Sequence, residues 1–119
     1  MKVRFLLDEH ISLAIQSGLK QRQPQMDVLC LGDPDAPPLG TPDPDILHYL
    51  EIAQHALVTM SRRSMWQHIT QHWQAGRDLW GVFWVPRDIR YGALIRQLLL
   101  IWETSQAEEW LDQLHDLPF

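Results

Sequence analysis

Apolar and polar residues follow two different periods along this chain, and together these periods predict alternating strands and helices. Four short, nearly continuous apolar runs are typical of strands that are buried on both faces of a sheet. Between these runs, apolar residues recur three or four positions apart, which indicates amphipathic helices. The predicted strands cover residues 3–7, 26–31, 56–60 and 79–85.

Five helical segments are expected between and after these strands. Pro24 ends the first helix, and the segment 32–42, with four of the eight prolines, is predicted to be a loop. Residues 61–65 read as a polar turn. Ser105, with Glu108 three positions later, is the pattern of a helix N-cap and predicts a final short helix. The predicted helices cover residues 9–22, about 43–53, 65–76, 91–104 and 105 to about 114.

The regular alternation of these elements predicts an α/β fold whose parallel sheet is covered by helices on both faces. A length of 119 residues fits a single domain over residues 1–119. In such sheets the functional residues lie at the carboxyl ends of the strands, near the point where the strand order reverses. The residues that directly follow each strand are therefore the first candidates for function.

Composition excludes several classes of protein. The net charge of −5 argues against a broad basic surface for nucleic acid, although it allows a local basic patch. The one cysteine, Cys30, excludes an internal disulfide framework and a multi-cysteine zinc site, and it is expected to be an inert core residue. Neither a signal-peptide pattern nor an apolar run of about 18 residues occurs, so we expect a cytoplasmic protein without a membrane partner.

Carboxylates from separate segments are expected to meet at the carboxyl edge of the sheet. Asp8 and Glu9 follow the first strand, and Asp43 and Asp45 open the helix before the third. Carboxylates brought together repel one another unless a cation such as Mg²⁺ or Mn²⁺ offsets their charge. For Asp8 we favour this functional interpretation over a purely structural role. For Glu9 the functional and structural interpretations are balanced. For Asp45 and the loop residues Asp33 and Asp35, roles in turns and at a helix N-terminus are favoured.

Basic residues are the second set of candidates at this edge. An arginine near the ends of the strands can hold a phosphate group, although ordinary surface charge is an equally good interpretation of each one taken alone. Among the six tryptophans, Trp66 and Trp80 are the candidates for exposure. The arginines in question are Arg62, Arg63, Arg77, Arg87 and Arg90.

Four segments together resemble the small bacterial PIN-like proteins, which are toxin-type nucleases of toxin–antitoxin pairs. The segments are residues 5–12 (FLLDEHIS), 41–47 (TPDPDIL), 56–59 (ALVT) and 81–85 (GVFWV). The resemblance implies a three-layer α/β/α sandwich with a central, mostly parallel sheet of about four strands. It also implies one or two Mg²⁺ or Mn²⁺ ions that activate water to cleave an RNA phosphodiester. Asp8 and Asp43 match family acids, and Asp45 is an additional carboxylate.

The chain departs from the family pattern after the third strand. The family usually has an aspartate two residues beyond the threonine that matches Thr59, and often another two residues later. Here these positions are Ser61 and Arg63. At about 4 Å and an effective dielectric near 20, each unit of charge changes the energy of a cation by roughly 4 kcal/mol. The two replacements therefore weaken a divalent site, although Ser61 can still offer a neutral oxygen.

The first hypothesis is a metal-dependent ribonuclease, the toxin of a toxin–antitoxin pair. It assigns catalysis to Asp8, Asp43, Asp45 and Ser61, and metal binding to Asp8, Asp43, Glu9 and Asp45. It assigns substrate binding to Thr59, Arg62 and Arg63.

The alternative is a catalytically degenerate PIN-like module without a metal, which binds a protein or RNA partner through the same edge. A receiver-like signalling domain ranks last, because no aspartate follows the third strand and no lysine follows the fourth. The expected partners are RNA, a small antitoxin protein and, from the apolar final helices, a second copy of the chain.

Overall fold

The strands form one five-stranded sheet in which every neighbouring pair is parallel. A computed structural model describes residues 1–119 and gives the strand order β2-β1-β3-β4-β5. The sheet therefore has one more strand than the four that the apolar runs predicted. The strands are β1 (Phe5–Leu7), β2 (Val28–Cys30), β3 (Ala56–Thr59), β4 (Val82–Trp84) and β5 (Leu114–Asp116).

Four α-helices and one short 3₁₀ helix connect these strands. The helices begin and end within a few residues of the predicted bounds, and none is both long and apolar enough to cross a membrane. They are α1 (Leu13–Arg22), α2 (Asp43–Ala53), α3 (Arg62–Gln74) and α4 (Tyr91–Thr104), and the 3₁₀ helix covers Ala107–Trp110.

The helices cover both faces of the sheet, which gives the three-layer α/β/α arrangement. Side chains alternate between the two faces of a strand, so neighbours along β1 enter different cores. Phe5 and Leu7 belong to the core that α1 and α4 cover, whereas Leu6 belongs to the core under α2 and α3. Because both faces are buried, the strands read as continuous apolar runs.

The strand order reverses at β1, which lies between β2 and β3. The chain moves from β1 to β2 in one direction and then crosses back to place β3 on the other side of β1. At such a point the connections leave on opposite faces of the sheet and open a crevice between the strand ends. Asp8 follows β1 and Thr59 ends β3, so both residues lie at this crevice.

The C-terminal segment corrects the predicted final helix. Only Ala107–Trp110 is helical, and Leu114–Asp116 adds β5 to the edge of the sheet. The N-cap is Gln106, which exchanges hydrogen bonds with Glu109, rather than Ser105 with Glu108. Ser105 is buried and occupied elsewhere: its hydroxyl donates to the carbonyl of Ile101 and accepts from the indole N–H of Trp110.

The segment after β3 is a second correction. Residues 61–65 were expected to form a polar turn, but α3 begins at Arg62. Serine and arginine side chains point into water here, so the apolar period that would reveal the first turn starts only at Met65. The first helix, in contrast, begins later than predicted, at Leu13, where the side chain of Ser12 accepts from the N–H of Ala14.

Candidate functional site

The carboxylate of Asp8 is held rigidly at the crevice between β1 and β3. Its backbone N–H donates to the carbonyl of Val58 at 3.0 Å, which continues the pairing of the two strands. Oδ1 accepts from the N–H of Glu9 at 2.8 Å, and Oδ2 accepts from the hydroxyl of Thr59 at 2.6 Å. Asp8 is only 8% exposed and has no basic partner. An anion is thus stabilised here by hydrogen bonds alone.

Thr59 links this carboxylate to the start of α3. Its side chain is fully buried, and its Oγ1 also accepts from the N–H of Ser61 at 3.0 Å. A chain of two hydrogen bonds therefore runs from the Ser61 amide through Thr59 to Asp8. This arrangement makes Thr59 a support for Asp8, since its hydroxyl is occupied on both sides.

A cavity of about 690 Å³, here called the apolar pocket, opens beside Asp8. It is formed by the segments that follow β1, β2, β3 and β4, together with the first turns of α1 and α4. Its size lies within the range of roughly 300–1,000 Å³ that is typical of small-molecule sites. The lining residues are Asp8, Glu9, His10, Ile11, Ser12, Leu13, Ile15, Cys30, Leu31, Gly32, Asp33, Leu39, Met60, Val85, Arg87, Ile89, Tyr91 and Leu94.

A second depression, here called the arginine groove, continues from the apolar pocket along the start of α3. The two share His10, Met60 and Arg87, so they form one continuous surface at the carboxyl edge of the sheet. The groove has three arginines and no acidic residue, in a chain with a net charge of −5. Its lining residues are His10, Met60, Ser61, Arg62, Arg63, Ser64, Trp66 and Arg87.

Arg62 spans the end of the sheet from β3 to β5. Its Nη1 lies 2.6 Å from Oδ1 of Asp116, the last residue of β5, and its guanidinium lies 5.5 Å from the ring centroid of Trp84. Arg63 and Arg87, in contrast, are exposed and take part in no ion pair. The groove therefore presents two uncompensated guanidinium groups and one that is paired.

The N-terminus of α3 has an unusual electrostatic arrangement. Its first turn holds no acid, no side chain caps it, and its first two positions are Arg62 and Arg63. Helix N-termini carry partial positive charge and unpaired N–H groups, so anions stabilise them and cations destabilise them. The sequence of this helix is thus suited to an anion that binds from outside the chain.

The structure places the two acids of α2 apart from these cavities. Asp43 and Asp45 lie in the first turn of α2, where negative charge is favourable, and neither lines the apolar pocket or the arginine groove. Oδ2 of Asp43 lies 4.0 Å from Nε2 of His68 on α3. Asp45 is exposed. Asp8, Glu9, Ser61, Arg62 and Arg63 are brought together, whereas Asp43 and Asp45 are not among them.

The Mg²⁺ or Mn²⁺ that the resemblance implies would need a set of oxygen ligands at this edge of the sheet. No three His, Cys, Asp or Glu side chains come together in a group that could hold a metal ion. Asp8, Glu9 and Asp33 share the apolar pocket, but Asp33 holds its own loop, since Oδ2 accepts from the side chain of Gln16 and the amide of Cys30. The donor set of a divalent site is therefore not assembled, and we derive no reaction step through a metal.

The ribonuclease hypothesis gave no role to His10, and Arg87 was only one of five candidate phosphate-binding arginines, although both residues follow strands and line both cavities. Its position, three residues beyond the end of β4, is the signal that marked Arg87 as a candidate. Trp66, a candidate for exposure, is 52% exposed in the groove. Cys30 is buried in β2 as expected, and burial together with the nearby charge of Asp33 raises the pKa of its thiol to about 11.

Comparison with protein-family models, with curated proteins and with solved structures found no match to this chain. The PIN-like resemblance therefore stays a prediction from the four sequence segments.

Proposed function

We propose that this chain binds single-stranded RNA at the carboxyl edge of its sheet, with the phosphate backbone in the arginine groove. This is the binding-module alternative among the sequence hypotheses. The observation that carries it is a groove with three arginines and no acid, built on an uncapped helix N-terminus in an acidic chain.

Charge supports a polyanionic ligand. Arg63 and Arg87 have no acidic partner, and placing cations beside the positive end of α3 costs free energy that a bound phosphate would recover. A phosphate there can accept both from guanidinium groups and from the free N–H groups of the first turn. The groove is local, so the acidic remainder of the surface repels nucleic acid elsewhere and restricts binding to this edge.

Trp66 supports a single strand rather than a duplex. Its indole is 52% exposed on the wall of the groove, which is rare for so large an apolar side chain. Unpaired bases stack on exposed aromatic rings, and such stacking contributes about 1–3 kcal/mol per base. An aromatic ring beside three arginines is the combination that single-strand binding surfaces use.

The test is the affinity of a fluorescent 12-nucleotide RNA as a function of salt. Three phosphate contacts predict a slope of log K against log salt near −2, since each contact to a single strand contributes roughly −0.7. Arg63→Ala and Arg87→Ala should each weaken binding and reduce the slope by about 0.7. The matched control is Arg96→Ala, an exposed arginine on α4 that lies outside both cavities. Equal losses in all three variants, or no binding at low salt, would refute the proposal.

Metal-dependent cleavage of that RNA is the second candidate. The observation that favours it is Asp8, a buried carboxylate without a basic partner beside the groove. Incubation of the bound RNA with Mg²⁺ or Mn²⁺ tests it, with Asp8→Asn and Asp43→Asn as variants. Cleavage that either substitution abolishes supports the ribonuclease hypothesis. Intact RNA bound by a folded protein would leave binding as the function.

The remaining partners are predictions from the sequence. A small antitoxin protein follows from the toxin hypothesis, and a homodimer follows from the apolar C-terminal helices. The cytoplasmic location stays an expectation from the sequence. Light scattering at high concentration tests the homodimer, because a monomeric mass would contradict it.

A further inference from the structure

Two carboxylates in the apolar pocket have hydrogen-bonding capacity that the chain does not use. Oδ2 of Asp33 accepts from Nε2 of Gln16 at 2.9 Å and from the N–H of Cys30 at 2.8 Å, which fixes the carboxylate, but Oδ1 has no partner. The carboxylate of Glu9 has neither a hydrogen bond nor an ion pair. Since an ionised carboxylate only accepts, a ligand that pairs with these two groups must donate.

The rest of the pocket suits a flat apolar surface. Three of the large hydrophobic side chains most exposed in this chain lie on its wall: Leu13, Leu39 and Tyr91 are 66%, 65% and 57% exposed. Tyr91 offers an aromatic face for stacking. A cavity of about 690 Å³ has room for a purine base and its sugar.

The pocket is also continuous with the arginine groove through His10, Met60 and Arg87. A nucleotide whose phosphate lies on the groove can therefore place its base in the pocket. Among the four RNA bases, only guanine presents two adjacent donors, N1–H and the N2 amine, to a carboxylate. Adenine and cytosine present a ring-nitrogen acceptor at the corresponding place, and uracil presents one N–H between two carbonyl acceptors.

We infer that the apolar pocket is a guanine-specific base site, in which Glu9 and Oδ1 of Asp33 accept from the Watson–Crick edge and Tyr91 stacks on the ring. This inference rests on the proposed RNA binding in the groove, whose failure the experiment below detects separately.

The experiment compares 8-nucleotide RNAs that are uridine throughout except for one central G, inosine or A. The native chain should bind the G strand about tenfold more tightly than the A strand, with inosine between them because it lacks the N2 amine. Glu9→Gln and Asp33→Asn should remove this preference. In Asp33→Asn the new amide oxygen can still accept from Gln16 and Cys30, which preserves the loop, and Glu9 is exposed, so both variants are expected to fold.

Asp35→Asn is the matched control, because it removes an exposed carboxylate from the same loop outside the pocket. Removing any acid near the groove raises the affinity for every RNA, so the ratio of G to A affinity is the quantity to compare. Asp35→Asn should keep the tenfold ratio. A ratio near one in the native chain, or a loss of preference in Asp35→Asn as large as in Asp33→Asn, would overturn the inference. Neither result would contradict the proposed RNA binding in the groove.

Titration with free guanosine and adenosine separates the two proposals. These nucleosides carry no phosphate and therefore test the pocket alone. If the chain binds guanosine preferentially but binds no RNA, the guanine site is supported and the proposed RNA binding in the groove is refuted. An alkylguanidinium ion that binds the pocket more tightly than guanosine would show that the carboxylates select a cation, and would overturn the inference.

Discussion

The hydroxyl of Thr59 donates a 2.6 Å hydrogen bond to Oδ2 of Asp8, across the crevice where the connections of β1 and β3 diverge. These residues are 51 positions apart, and each lies at the end of its own strand. The contact stabilises a buried anion and joins the candidate site to the centre of the sheet. The geometry of the candidate site and the stability of the fold therefore depend on the same hydrogen bond.

Thr59→Val should lower the free energy of unfolding by about 1–3 kcal/mol, because Asp8 would lose a donor that water cannot replace at a buried position. Valine keeps the shape of threonine, so the loss reports the hydroxyl. Urea unfolding at neutral pH measures it. Thr59→Ser keeps the hydroxyl and serves as the control for the Asp8 contact. A valine variant as stable as the native chain would show that Asp8 does not need this donor.

Asp116→Asn should release Arg62 and increase RNA affinity without weakening the fold. Both members of this ion pair are 62% exposed, so its contribution to stability is below about 1 kcal/mol. Loss of one negative charge beside the groove should raise affinity roughly threefold at low salt, as Coulomb's law gives in a water-like dielectric. Fluorescence anisotropy measures the change. Glu103→Gln, in the last turn of α4, removes the same charge elsewhere and should have little effect.

Gly81→Ala should destabilise the chain more than Gly40→Ala. Both glycines have positive φ, +107° and +83°, so each substitution strains the backbone by about 1–2 kcal/mol. At Gly81 the new Cβ would also lie 2.9 Å from Cβ of Trp110, whereas nothing lies within 4 Å at Gly40. The clash should add about 1–3 kcal/mol. Equal losses in urea unfolding would contradict the packing of the 3₁₀ helix against the start of β4.

The thiol of Cys30 should react slowly with alkylating reagents in the native chain. Burial raises its pKa from 9.0 to about 11, so the thiolate fraction at pH 8 falls about a hundredfold. Rates in buffer and in urea give the comparison. Because the native state holds its proton more tightly than the unfolded one, the free energy of unfolding should also fall between about pH 9 and pH 11. Cys30→Ala should lack that component, and a native thiol as reactive as the unfolded one would refute the argument.

The C-terminal strand shows why part of the fold was missed. Hydrophobic periodicity found the first four strands because each is buried on both faces and reads as a continuous apolar run. Leu114–Asp116 lies at the sheet edge, is only partly buried and includes His115 and Asp116, so no apolar run marks it. The short 3₁₀ helix before it contains the same residue types as an α-helix, so composition does not distinguish the two. Its N-cap pair is Gln106 with Glu109, one position after the pair that the sequence pattern predicted.

The amino-acid sequence by itself determined the layered α/β architecture, since strand and helix periods are local properties that burial on two faces imposes on each segment. The sequence also identified Asp8 as a candidate functional residue, because the order of strands and helices is enough to show that Asp8 directly follows the first strand. Only the tertiary structure decided that Asp8 contacts Thr59 beside the arginine groove, while Asp43 lies near His68. Side chains from distant segments meet according to strand order, crossover direction and the path of each loop, and these depend on how the whole chain packs.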